Sequence, residues 1–195
     1  MTGTAGLRVL AFNWRIAIVR LLVIEDDSAL SEVLTYSLRQ VGYAVDRVDD
    51  GTAADTMLRH ERFDLIVLDL TDPGGPSEAL YTTDFYRACA ARLAEGGAMT
   101  LHIGSPVAHP DRIRSALASL RQAFAVVTPY LVSIPLYGGL WMMACASAKL
   151  DPRMLTAAEV DGRISARGLR DLRYYNGEMH RAALALPNFV RDLVG

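Results

Sequence analysis

FDLIVLDLTDPGGP, residues 63–76, decides how the chain is read. Asp64–Leu70 is a short apolar run with β-branched residues at its centre and aspartates only towards its edges. A strand buried on both faces of a parallel sheet reads this way. The run closes on Asp69, Asp72 follows three residues later, and Pro73-Gly74-Gly75-Pro76 braces the turn beyond. Ligands of open α/β sheets bind at the carboxyl ends of the strands, so two carboxylates stand where chemistry is expected.

Working back towards the amino terminus, Arg20–Ile24 reads as a first strand running into Glu25-Asp26-Asp27. A helix follows, capped by Asp27 or Ser28, with Leu30, Val33, Leu34, Leu38 and Val41 at helical spacing and Gly42 as its stop. Tyr43–Val48 is a second strand, and Ala53–His60 a short helix with Ala54, Met57 and Leu58 on one face. This βαβαβ pattern with short loops demands a parallel sheet and right-handed crossovers.

Working forward, Thr83–Ala94 reads as a helix with Phe85, Tyr86, Cys89 and Leu93 inward, stopped by Gly96-Gly97. Ala98–Ile103 is a fourth parallel strand, and Pro110 opens a helix that turns Ile113, Leu117 and Leu120 inward. Ala125–Ile134 and Leu140–Ala146 lie too close in sequence for a parallel crossover, so they pair antiparallel. The expectation is one doubly wound, mainly parallel α/β sheet of Rossmann or methyltransferase type, strand order 2-1-3-4-6-5, the last strand antiparallel. Thr156–Val194 reads as short helices.

With 195 residues and a net charge of −2, the chain is sized for one domain and offers no general attraction to nucleic acid or anionic membranes. Ala123–Ala148 carries no charge over 26 residues, but Pro129, Pro135 and Gly138-Gly139 divide it into strand-length pieces, so a buried hairpin is expected rather than a membrane span. Cys89 and Cys145 lie far apart without metal-like spacing and read as buried reduced thiols, which fits the cytoplasm. Residues 1–18 read as an extension without the apolar core of a signal peptide, with Leu7–Phe12 as a candidate edge strand. Arg163, Arg167, Arg170 and Arg173 read as a solvated stripe, and His102, His109 and His180 have no metal spacing; His102 reads as a satisfied core or rim histidine.

Two resemblances meet at the Phe63–Leu70 strand. RLLVIEDDSALSEVLTYSLRQVGYAVDRVDDGTAAD together with FDLIVLDL resembles the first three strands of the receiver domains of response regulators, over residues 19–70. That resemblance implies Mg²⁺ held by Glu25 and Asp26 and a phosphoryl group accepted by Asp69, although the family's later lysine has no counterpart; the single lysine is Lys149. DLTDPGGPSEALYTTDFYRACAARLAEGG, SIPLYGGLWMMACASAKL and LRYYNGEMHRAALALPNFVRDLV resemble the polyamine aminopropyltransferases, the spermidine synthase family, over residues 62–195.

By this second resemblance an aminopropyl group moves from decarboxylated S-adenosylmethionine, a co-substrate, to putrescine, with no tightly bound cofactor. Asp69 is implied as the proton acceptor. Asp69, Asp72 and Tyr137 are implied to bind the amine, Pro76 to line the nucleoside site, and Asp49 to stand where the family places an acid on the donor's ribose. The residue types suit the reaction, because an ammonium must lose a proton before it attacks and a dication is recognised by acids. Two features of the family have no counterpart: its amino-terminal β-domain, and the glycine-rich donor loop, whose place Glu25-Asp26-Asp27-Ser28 takes. The expectation is a fusion of the two patterns in one structural domain, with weak transfer, no nucleic acid and no membrane, and compatible with a homo-oligomer.

Overall fold

The computed structural model describes residues 19–70 and 80–195. Residues 1–18, with the candidate strand Leu7–Phe12, and the stretch that carries Asp72 and Pro76 lie outside the described residues.

Six strands form one sheet: β1 (Arg20–Glu25), β2 (Ala44–Val48), β3 (Phe63–Asp69), β4 (Leu93–Gly104), β5 (Val126–Ile134) and β6 (Gly139–Ser147). Their order is β2-β1-β3-β4-β6-β5, as the pattern predicts. β1 pairs in parallel with β2 and β3, and β3 with β4, while β6 runs antiparallel to both its neighbours. Pro129 is tolerated in β5 because that strand is the edge of the sheet. The helices are α1 (Ser28–Gln40), α2 (Gly51–His60), α3 (Thr83–Arg92), α4 (Pro110–Ala123), α5 (Ala157–Ala166), α6 (Gly177–Leu184) and α7 (Asn188–Val194). No described helix is long and apolar enough to cross a membrane; the uncharged run forms β5 and β6 instead.

Strand alternation divides the core. Leu22, Ile24, Ile66, Leu68, Met99 and Leu101 meet residues of α2, α3, α4 and α7 in the larger cluster. Leu21, Val23 and Val45 face the other way, packed by Leu34 and Leu38 of α1. Each large side chain fully buried here contributes roughly 1.5–3 kcal/mol.

Two expectations are corrected. The helical spacing of Leu30, Val33, Leu34, Leu38 and Val41 implies one shared apolar face, but Leu30 and Val33 are 50% and 63% exposed, and Val41, the C-cap just beyond α1, is 63% exposed. Ser31 and Thr35 are buried in their place. The helix carries two stripes that share Leu34 and Leu38, and the sheet takes the one with Ser31 and Thr35. Gly96-Gly97 was expected to stop α3, but the helix ends at Arg92 and both glycines lie in β4. They absorb a bulge, since Phe63 pairs with Leu93 while Leu65 pairs with Ala98. A Cβ on Gly97 would stand 2.9 Å from the Asp64 carbonyl oxygen, so the close approach of β3 needs glycine.

Candidate functional site

The carboxyl ends of β1, β3 and β4 lie at one edge of the sheet, and antiparallel β6 begins at that edge. The turn between β5 and β6, including Pro135–Tyr137, closes over it. A cavity of about 570 Å³ opens there. Glu25, Asp26, Asp27 and Asp69 line its acidic side, and Tyr137, Trp141 and Met143 are among the apolar groups across from them.

Asp69 is the last residue of β3 and register partner of Glu25, the last of β1. Its side chain is 48% exposed, open to a ligand in the cavity. His102, on β4, points Nε2 at the Asp69 carboxylate from 3.9 Å and at the Leu70 carbonyl from 2.5 Å. Trp141 Nε1 donates to His102 Nδ1 at 3.4 Å, which leaves Nε2 as the donor to Leu70. The Tyr81 hydroxyl donates to the same Leu70 carbonyl at 3.1 Å, so the end of the strand that carries Asp69 is held from two sides.

Glu25 is 3% exposed and accepts the Asp27 backbone N–H at 2.9 Å. Burial pushes its carboxyl up from the ordinary 4.5 to about 7, against the Asp27 N–H bond, and the charges of Asp69, Asp26 and Asp27 add to the rise. Tyr137 is 58% exposed, its ring centroid 4.8 Å from that of Trp141. The pair makes an aromatic wall suited to the alkyl chain and the cationic end of an amine.

Of the expected site residues, the structure brings Glu25, Asp26, Asp69 and Tyr137 to one cavity. Asp49 is exposed beyond β2 and is not among the lining residues, while its neighbour Asp50 caps α2. Among the described residues no three His, Cys, Asp or Glu side chains could together hold a metal ion. Lys149 pairs with Glu95 at 3.0 Å, near the start of β4 and away from Asp69. His102 is the satisfied rim histidine that the sequence suggests, but its partners Leu70 and Trp141 cannot be read from the sequence. Their signal is tertiary: His102 pairs with Met143 on β6, which carries Trp141 to the same edge.

The family model described as Spermine/spermidine synthase domain matches residues 39–155. The chain belongs to this family. A curated relative, the polyamine aminopropyltransferase of Nitrosomonas europaea, is 53% identical over 133 residues, which are 68% of this chain and 41% of that protein. Polyamine aminopropyltransferase 2 of Hyperthermus butylicus is 41% identical over 137 residues, 69% of this chain and 45% of its own length. The chain thus spans less than half the length of these spermine/spermidine synthase family members. Two solved spermidine synthases share the fold. One, a complex with the transition state analogue AdoDATO, has a TM-score of 0.73 at 24% identity, covering 90% of this chain and 69% of that one. The other, from Thermotoga maritima, has a TM-score of 0.70 at 23% identity, covering 91% and 68%.

Proposed function

We propose that the chain carries the proton-accepting and amine-binding part of a polyamine aminopropyltransferase. The observation that carries this reading is Asp69: half-exposed at the carboxyl end of β3, held by the Leu70 contacts, and facing an aromatic wall across the cavity, in a chain of this family. A bound diamine such as putrescine sets one ammonium against Asp69 and its methylenes along Tyr137 and Trp141. The amine gives a proton to Asp69. Its lone pair then attacks the aminopropyl methylene bonded to the sulfonium of decarboxylated S-adenosylmethionine. The new C–N bond forms as the C–S bond breaks, and the electron pair leaves on sulfur as a neutral thioether. In this reading Asp72 is the second acid on the amine, Pro76 lines the nucleoside site and Asp49 serves the ribose, all three carried over from the resemblance. The reaction needs no tightly bound cofactor. A cytoplasmic location accompanies it, in keeping with the free thiols of Cys89 and Cys145.

Positioning of the donor supplies much of the rate of such transfers. With Glu25-Asp26-Asp27 where the family has glycines, turnover should fall far below that of a complete enzyme. The test is spermidine formation from putrescine and decarboxylated S-adenosylmethionine, wild type beside Asp69→Asn. Slow product from the wild type and none from the variant is expected; equal product from both would remove Asp69 from the role of base.

A second reading takes residues 19–70 as a phospho-accepting module, with Mg²⁺ on Glu25 and Asp26 and the phosphoryl group on Asp69. The register pairing of Glu25 with Asp69 favours it. The lack of a three-ligand group among the described residues, and the remote Lys149, weigh against it. Rapid stoichiometric labelling of Asp69 by acetyl phosphate with Mg²⁺ would promote it over the first.

A further inference from the structure

A second cavity, of about 300 Å³, opens on the same face of the sheet between β4, β6, β5 and α6. Its floor is Thr100, Tyr130 and Cys145, and its roof includes Tyr174, Met179 and His180. Thr100 pairs with Cys145, and the next pair on this face, His102 with Met143, belongs to the acidic cavity. The two hollows are therefore neighbours on one sheet, about 7 Å apart along the strands. Their chemistry is opposite.

Among the described residues, no carboxylate, amine or guanidinium lines the second cavity. Its polar atoms are already engaged with one another. Thr100 Oγ1 and the Tyr130 hydroxyl are 2.9 Å apart. The Tyr175 hydroxyl lies 2.8 Å from His180 Nδ1, and His180 Nε2 donates to the Pro152 carbonyl at 2.9 Å. Burial pushes the Cys145 thiol up to about 11, so it stays protonated at neutral pH.

We propose that this cavity is a binding site for a neutral, planar aromatic molecule of one or two rings bearing one hydrogen-bonding group. Three observations carry the assignment. The first is charge: an ion entering here would lose its hydration and meet no opposite charge, so both ammonium and carboxylate ligands are rejected. The second is the wall: tyrosine rings and the Met179 thioether favour an aromatic face or edge over an alkyl chain. The third is size and hydrogen bonding. An apolar cavity of about 150 Å³ holds one benzene, so twice that volume suits two fused rings. One hydroxyl of the Thr100–Tyr130 pair donates to the other, which leaves a single free proton and acceptor lone pairs to orient a ligand. The site serves a ligand distinct from the amine and does not depend on transfer activity.

The test uses the full chain with indole, phenol and toluene as probes, and benzylammonium and benzoate as charged controls. Saturation-transfer NMR should detect indole and phenol. Indole at ten times its Kd should slow alkylation of Cys145, followed at about pH 9 where some thiolate forms, about tenfold, with fully buried Cys89 reporting any unfolding. The charged controls should do neither. Ala183→Phe, which fills the cavity from α6, should abolish both signals. Thr100→Val combined with Tyr130→Phe, which removes both hydroxyls of the pair, should erase the preference for phenol over toluene while leaving toluene bound. No saturation transfer from millimolar indole to the wild type, equal protection of Cys145 by benzylammonium, or unchanged binding in folded Ala183→Phe would each overturn the proposal. The wild-type measurements decide the matter even if the filled variant does not fold.

Discussion

Glu25 and Asp69 end two neighbouring parallel strands in register, so two acids of different exposure share one wall of the cavity. The buried one is held near 7 and the other opens to the cavity. A carboxyl whose folded pKa is raised contributes stability that is fully present below its unfolded value and lost as pH rises through the folded value. For Glu25 that window runs from 4.5 to about 7. Glu25→Gln keeps an acceptor for the Asp27 N–H and removes the titration. Urea denaturation across pH should show the variant gaining on the wild type through this window and levelling off above it. The gain should be roughly 2 kcal/mol, since a pKa unit corresponds to about 1.4 kcal/mol and water at the cavity mouth screens part of it. Parallel pH profiles for the two proteins would show that Glu25 is not the titrating group.

Gly177 opens α6 where it crosses α5. A Cβ there would fall inside the Ala157 carbonyl group, which is backbone and cannot turn away. The Gly177 N–H also donates to Asp161 Oδ1 at 2.7 Å. Gly177→Ala must therefore push α6 off α5 and lose that bond. A destabilisation of about 3 kcal/mol or more is expected by chemical denaturation, at the upper end of overpacking effects. A loss below about 0.5 kcal/mol, the scale of an ordinary surface change, would mean that the two helices are not docked this closely.

Much of the fold was legible because its signals are local. The apolar runs of β1 and β3, the helix spacings of α2 and α4, and the short link between β5 and β6 together allow few sheets, and the order β2-β1-β3-β4-β6-β5 is among them. What escaped was what neighbours decide. Nothing local chooses between the two stripes on α1, and only the packed sheet shows Ser31 and Thr35 buried and Leu30 and Val33 exposed. Gly96-Gly97 signals a helix stop in any single sequence, and only the approach of Asp64 shows why it sits inside a strand. At the site, Asp69 could be read from its place at a strand end. His102 could be read as a satisfied rim histidine but its partners could not, because Leu70 and Trp141 come from two other strand ends.

Tyr86 is fully buried on α3, and its hydroxyl has no hydrogen-bond partner among the described residues. Burial also pushes its ionisation far up. A buried hydroxyl without a partner costs about 1–3 kcal/mol, so Tyr86→Phe removes a penalty while keeping the ring that fills the core. The variant should melt a few degrees higher, about 2–4 °C per kcal/mol gained for a chain of this size. A lower melting temperature would reveal a partner for this hydroxyl in the folded protein.

The last prediction concerns the grip on Leu70. His102 Nε2 and the Tyr81 hydroxyl both donate to its carbonyl, and Trp141 orients the imidazole from behind. If that grip fixes Asp69, then His102 acts through it rather than on the amine, and the shape of the replacement should matter more than its basicity. The amide nitrogen of glutamine can take the place of Nε2 and donate to the carbonyl; alanine cannot. Under the proposed amine-binding role, His102→Gln should keep putrescine binding within about threefold, while His102→Ala should weaken it about tenfold, the alanine loss corresponding to about 1.4 kcal/mol. Calorimetric titration measures both. Amide exchange around Leu70 should quicken in the alanine variant alone, a change that loss of direct contact with the amine would not produce. Equal weakening by both replacements, with exchange unchanged, would instead put His102 in contact with the substrate.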